Sequence, residues 1–290
     1  MPTYRPPHTN RNRIPMTTDA LLMDTPSTSG LVAVLQHSGS VAQALQNAEV
    51  RVRQQPGAFE ERWHLFQWLC MTGDWERALK QLQVATQLTP DFAQTAHAYR
   101  SLIRAEMFRQ GVFNGEREPG ALLSPPAWME PLHKALAQAA SGDIEEADHS
   151  RHLALVDATT ASGAHNAGTF AWISDSDTRL GPTCEIISAG RYAWLPFAQM
   201  RRLEMGAVVG LLDLIWRPAT VMLADGVVCR GFVPVRYPGS EDGDDATRLA
   251  RKTNWTEVGE TGVLGWGQKT WVTDGGDIGM LNITSLVLGR

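Results

Sequence analysis

Asp175 and Asp177, with Arg179 at the next alternate position, are the residues of this sequence whose types and spacing most suggest chemistry. Paired acids at a strand end can hold a divalent ion or share acid–base work. Here the following residue is a cation, which repels a metal, and the Gly and terminal Glu of a calcium loop are missing. The pattern predicts a turn at the solvent edge with Asp–Arg pairing; a metal-dependent hydrolase using Asp175 and Asp177 is the competing reading. His149 and His152 fall on one face of an expected helix, but no third ligand accompanies them, so they read as exposed helix residues. Gly262, Gly265 and Gly267 are in the wrong order for a dinucleotide loop, and no βα unit follows. Neither a Walker phosphate loop nor a nucleophile elbow occurs. The last histidine, His165, lies in an expected boundary loop, which leaves the second half without a placed imidazole. No enzymatic activity, cofactor or metal is expected.

The whole-chain numbers agree with a soluble binding protein. Of 290 residues 43% are apolar and 20% charged, enough to bury a sizeable core. A net charge of −5 argues against a nucleic-acid binder. No apolar run approaches the ~20 residues of a membrane span, so no membrane partner is expected. Cys70, Cys184 and Cys229 have neither CxxC nor metal-ligand spacing and read as reduced thiols of a cytoplasmic protein. Residues 1–29 are rich in Pro, Thr, Ser and Asn, which predicts a disordered tail with one brief helical turn at Ala20–Met23.

Positioning elements begin with a repeat. Leu31 and Leu65, Leu35 and Leu69, Gly39 and Gly73, Ala44 and Ala78, and Pro56 and Pro90 are all 34 residues apart, the tetratricopeptide period. Each unit would be two antiparallel helices. Gly73 would end the first helix in the left-handed conformation, Asp74 would cap the second, Ala78 would let two helix backbones approach, and Pro90 would stop the run. Trp63, Phe66, Leu69 and Cys70 form an apolar stripe at helical spacing, and Trp63, Trp68 and Trp75 read as core. Helical patterning continues over Phe92–Phe113 and Ala127–Ala140. The turn signature recurs at Ser141-Gly142-Asp143 before Ile144–Val156, with Ala147 in the small-residue position. Residues 30–158 are therefore expected to form a helical array, of the kind that binds peptides or helices on a curved surface.

From residue 159 the pattern changes. Short aromatic or apolar runs at Phe170–Ile173, Tyr192–Leu195 and Met200–Met205 read as strands. Thr220–Leu223 and Val227–Val235 flank Asp225-Gly226, the strongest hairpin signal in the chain. Further strands are expected at Trp255–Val258, Gly267–Thr273 and Met280–Leu288, with a short helix over Asp245–Lys252. The acids from Glu241 to Asp245 read as its cap. Trp172, Trp194, Trp216, Trp255, Trp266 and Trp271 lie here, six of the ten tryptophans, so residues 159–290 are expected to be a mainly β unit with its own core. The fold class is α+β: a tetratricopeptide-like array followed by a mainly β domain.

Three stretches carry a specific resemblance: Phe66–Leu79 around Thr72-Gly73-Asp74-Trp75, Trp172–Pro182 continuing at Gly190–Phe197, and Arg236–Glu241. They resemble the ImpE family, also called SciE-type virulence proteins or TagJ, accessory proteins of bacterial type VI secretion. The resemblance runs from about residue 30 to the C-terminus. It implies a cytoplasmic, non-enzymatic adaptor that contacts the small subunit of the contractile sheath and the ClpV-type AAA+ ATPase. The region before residue 30 departs from the usual family start, where an ATPase-contacting helix is expected, and this bears on that contact. Trp172, Asp177, Arg179, Arg191, Trp194, Arg236 and Tyr237 are the candidate patch, either for partner binding or for fixing the β core and its turns. A purely structural subunit of the secretion apparatus is a further reading.

Overall fold

A computed structural model describes residues 40–289 of the chain. The expected tail, the turn at Ala20–Met23 and the repeat positions Leu31, Leu35 and Gly39 lie outside the described residues. The helical half runs α1 (Val41–Gln54), α2 (Phe59–Met71), α3 (Trp75–Leu88), α4 (Ala93–Phe113), α5 (Met129–Ser141) and α6 (Ile144–Asp157). Local chemistry explains the boundaries. Ser40 Oγ accepts from the backbone N–H of Gln43 at 3.1 Å and caps α1. Gly73 takes φ +71°, and the adjoining Asp74 accepts from the N–H of Arg77 at 3.2 Å to start α3. Gly142 repeats the left-handed turn at φ +89° before α6. Ala44, Ala78 and Ala147 are all buried, as small residues at close helix crossings should be. Pro90 opens a single 3-10 turn, Pro90–Phe92, that leads into α4. Trp63 packs on Phe66, Phe92 and Tyr99 with ring centroids 5.0–5.3 Å apart, so the aromatic stripe is core.

The β half contains β1 (Gly163–His165), β2 (Gly168–Phe170), β3 (Ile173–Asp175), β4 (Thr183–Ser188), β5 (Arg191–Pro196), β6 (Met200–Met205) and β7 (Trp216–Leu223). It continues with β8 (Val228–Pro234), α7 (Asp245–Arg248), β9 (Thr253–Val258), β10 (Gly262–Gly267), β11 (Thr270–Thr273), β12 (Gly276–Gly279) and β13 (Ser285–Leu288). One eight-stranded sheet has the order β2-β1-β13-β6-β7-β8-β4-β5, a second pairs β10 with β9, and a third runs β12-β11-β3. The hairpin at Asp225-Gly226 joins β7 to β8, with Met222 opposite Val228 and Gly226 at φ +90°. Two differences from the expected strands have clear causes. β4 carries no alternation because five of its six residues are buried, so it looked like no strand at all. The Phe170–Ile173 run is split between β2 and β3, which belong to different sheets.

The β half has an apolar cluster of its own around Leu203, Val221, Val233 and Trp271. A second cluster is shared: Phe66, Leu69, Leu82 and Ile103 of the helices pack with Tyr192, Trp194, Trp216 and Tyr237. Trp75 and Trp216 meet across it at 5.8 Å. Such sharing predicts one cooperative unfolding transition, in which far-UV circular dichroism and tryptophan fluorescence coincide in urea. Trp75→Ala, which empties the junction, should cost about 3–5 kcal/mol and lower the single midpoint. Two separated transitions in the wild-type chain would show that the halves fold independently.

Candidate functional site

The candidate patch converges on a buried charged network between α4 and the β half. Glu185 on β4 is fully buried and receives Arg109 of α4, with Nε at 2.5 Å and Nη2 at 3.0 Å. Lys269 Nζ lies 2.6 Å from the other side of the same carboxylate and 2.8 Å from Asp175. Arg109 also pairs with Glu106 at 2.7 Å, and Glu106 accepts from Trp216 Nε1 at 3.0 Å. Asp175 accepts from the hydroxyl of Tyr237 at 2.7 Å and from the backbone N–H of Asp177 at 3.0 Å. Asp177 in turn holds Arg179, with Nη2 at 2.5 Å, and receives the N–H of Gly265 at 2.9 Å.

Arg236 joins the same interior from another side. Its guanidinium donates to the carbonyls of Met71 (3.1 Å) and Arg248 (2.6 Å), while its own carbonyl accepts from Arg109 Nη2 at 2.9 Å. Met71 is the last residue of α2, so Arg236 ties a helix end to the β half. Trp194 is buried and donates Nε1–H to the Tyr192 hydroxyl, which donates to Glu185; both separations are 2.6 Å. Thus Asp177, Arg179, Trp194, Arg236 and Tyr237 are brought into one interior. Trp172 is exposed in the link between β2 and β3, and Arg191 is exposed at the start of β5; neither joins them.

The solvent-edge turn expected at Asp175 and Asp177 is corrected: both carboxylates are buried, although the Asp177–Arg179 pairing is as expected. Their oxygens face ammonium, guanidinium, hydroxyl and amide hydrogens, which is the wrong surrounding for a divalent ion. Glu106, Arg109, Glu185 and Lys269 escaped the sequence reading. The available signal was a charge where the pattern demands an apolar residue, as at Glu185 between Cys184 and Ile186. The remaining motifs are structural. His149 and His152 are exposed on α6. Gly265 leaves room for the Tyr237 ring, which a Cβ would meet at 2.3 Å. Asp244 caps α7 by accepting from Thr247 N–H at 3.0 Å, and Asp245 accepts from the N–H of Val41 at the start of α1 (3.1 Å).

Beside this interior lies a cleft of about 400 Å³ where the two halves meet. Trp63, Gln67 and Tyr99 line its helical wall, Met205, Pro218 and Phe232 its β wall, and Glu204, Asp213 and Arg230 its polar rim.

A helical array fastened to a β unit by buried ion pairs, with a cleft at the seam, defines an α+β protein whose two halves share a core. The family of ImpE proteins matches residues 167–287. Type VI secretion system accessory component TagJ of Pseudomonas aeruginosa is 39% identical over 253 residues, covering 87% of this chain and 89% of that protein. The chain belongs to the ImpE/TagJ family. Protein VPA1032 from Vibrio parahaemolyticus, seen in a crystal structure, is similar in fold at a TM-score of 0.81 and 25% identity, over 89% of this chain and 97% of that one.

Electrostatics of the network give opposing pH effects. Burial alone would raise Glu185, but Arg109 and then Lys269 outweigh it and hold its pKa at about 2. Its contribution is complete above the ordinary carboxylate range and is lost as pH falls toward 2. Asp175 is pushed up to about 6, first by burial and further by Asp177, because Lys269 is shared with Glu185 and offsets only part of this. Between its ordinary 3.8 and about 6 the folded state holds the extra proton, so stability falls as pH rises through that window, by about 3 kcal/mol at most. Urea midpoints measured from pH 4.5 to 7, above the range in which Glu185 acts, should show this decline, and Asp175→Asn should flatten it. Arg109→Ala, which leaves Glu106 without a cation and Glu185 with Lys269 alone, should cost about 3–5 kcal/mol. Arg191→Ala should stay within about 0.5 kcal/mol.

Proposed function

We infer that this protein is a non-enzymatic accessory adaptor of type VI secretion, working in the cytoplasm and linking the small sheath subunit with the ClpV-type AAA+ ATPase. The observation that carries the reading is the 39% identity, over most of both chains, to a protein described as a type VI secretion accessory component. Supporting it, the buried charges of the candidate patch and its neighbours find their partners inside the protein, and Arg191 alone of the charged members is exposed. Glu106, Glu185, Asp175 and Asp177 are paired with Arg109, Lys269 and Arg179, and the Arg236 guanidinium donates to the backbone carbonyls of Met71 and Arg248. Such an arrangement holds two binding surfaces at a set angle and offers no free acid–base pair. Within the patch, Trp172 and Arg191 are the members able to touch a partner. The other five serve to hold the described helical half and the β half as one body.

Among the described residues no helix is long and apolar enough to cross a membrane. Contact surfaces for soluble partners are the outer helical face and the seam cleft. The test is capture of the purified sheath subunit and the purified ATPase on immobilised full-length chain, each alone and then together. Stable capture of at least one partner at moderate salt is expected, and both should be retained together if the chain bridges them. Failure to capture either would remove the adaptor reading.

A further inference from the structure

A second cavity, of about 420 Å³, lies between the C-terminal ends of α4 and α5, the start of α6 and the β9–β10 hairpin. Phe113, Leu136, Ile144, Val258 and Leu264 make its walls apolar. Into these walls are set two guanidinium groups, Arg151 and Arg179. Arg151 is only 4% exposed, and its Nε has no hydrogen-bond partner among the described residues. Its Nη1 donates to Asp148 at 3.0 Å and to Thr261 at 2.8 Å. The Arg179 pairing with Asp177 uses Nε and Nη2, and the same guanidinium lies 4.9 Å over the Phe113 ring.

Both carboxylates near the cavity are already supplied with donors. Asp148 accepts from the backbone N–H groups of Glu260 (2.7 Å) and Thr261 (3.0 Å) and from the Thr261 hydroxyl (2.6 Å). Asp177 accepts from the N–H of Gly265 besides Arg179. The acids therefore do not need all the donors the two arginines present, and the two cations repel each other. Arg151 Nη2 and Arg179 Nη1 have no acceptor among the described residues, and an anion in the cavity supplies one. Two arginines against two aspartates leave the site neutral, so one added negative charge suits it better than two. Size and lining match a small ligand site, apolar with a few convergent polar groups.

The geometry points to this cavity as a binding site for a small monocarboxylate with an apolar body, its carboxylate between Arg151 and Arg179. The inference is independent of the adaptor reading. The probe is 4-phenylbutanoate, titrated into the full chain by calorimetry and by NMR of the arginine Nε–H signals. Saturable binding that shifts both arginine signals is expected, with 4-phenylbutanamide at least ~10-fold weaker because it lacks the charge. Arg151→Lys should weaken binding at least ~10-fold, since a point ammonium cannot replace the fork. Ala140→Leu, on an exposed helix position lining the cavity, should weaken it similarly without touching either arginine. Equal binding of acid and amide, no binding at millimolar acid, or full affinity in Ala140→Leu would overturn the assignment. So would inorganic phosphate displacing the acid at equal concentration. A leucine-terminated peptide with a free carboxylate binding more than ten times tighter would replace the small-molecule site by a peptide clamp.

Discussion

Glu185 has no access to water, and its charge exists only because cations reach it from both halves of the chain. Arg109 arrives from a helix, Lys269 from the approach to β11, and Tyr192 donates its hydroxyl from the neighbouring strand. Burying one ion from water costs several kcal/mol, and that cost is offset only when all the partners are in place together. The constraint propagates outward. Lys269 must reach Asp175 as well, Asp175 must accept from Tyr237, and Tyr237 must lie flat against Gly265 of β10. A helix displaced by one turn would part Arg109 from Glu185 and Glu106 from Trp216 at once. Apolar packing at the Trp75–Trp216 seam tolerates small slips far better, because it is not directional. The network therefore sets the register of the array on the sheet, while the shared core supplies most of the adhesion.

What was legible in the sequence was whatever local chemistry decides. Gly73-Asp74, Gly142 and Asp225-Gly226 require positive φ or a cap at a particular residue, and no distant contact alters that. Helices α2 to α6 followed from such punctuation and from helical spacing of apolar residues. β4 did not, because a strand covered on both faces shows no alternation. The buried charges were illegible for a related reason: a carboxylate in a sequence signals solvent unless its distant partners are known. Asp175 looked like the edge of a turn, yet Lys269 and Tyr237, 94 and 62 positions away by their numbers, make it interior. Arg179 was paired correctly because Asp177 is its near neighbour. The candidate patch mixed interior and surface residues, since Trp172 and Trp194 have the same side chain and only the fold separates them.

This separation bears on how the proposed adaptor would serve two partners. The fully buried carboxylates cannot also be recognition groups, because taking a partner from one of them leaves an uncompensated buried charge. On the proposed adaptor reading, recognition would come from surface that costs the network nothing, such as Trp172, Arg191 and the walls of the seam cleft. Those walls belong to both halves: Trp63 and Tyr99 come from helices, Met205 and Phe232 from strands. A segment seated there would touch both halves without changing the angle between them, so its binding would add little strain. Coupling between two partners on such a body would be weak unless one of them opened the network. Opening it is expensive, which makes independent, simultaneous occupation the behaviour that this architecture favours over a switch.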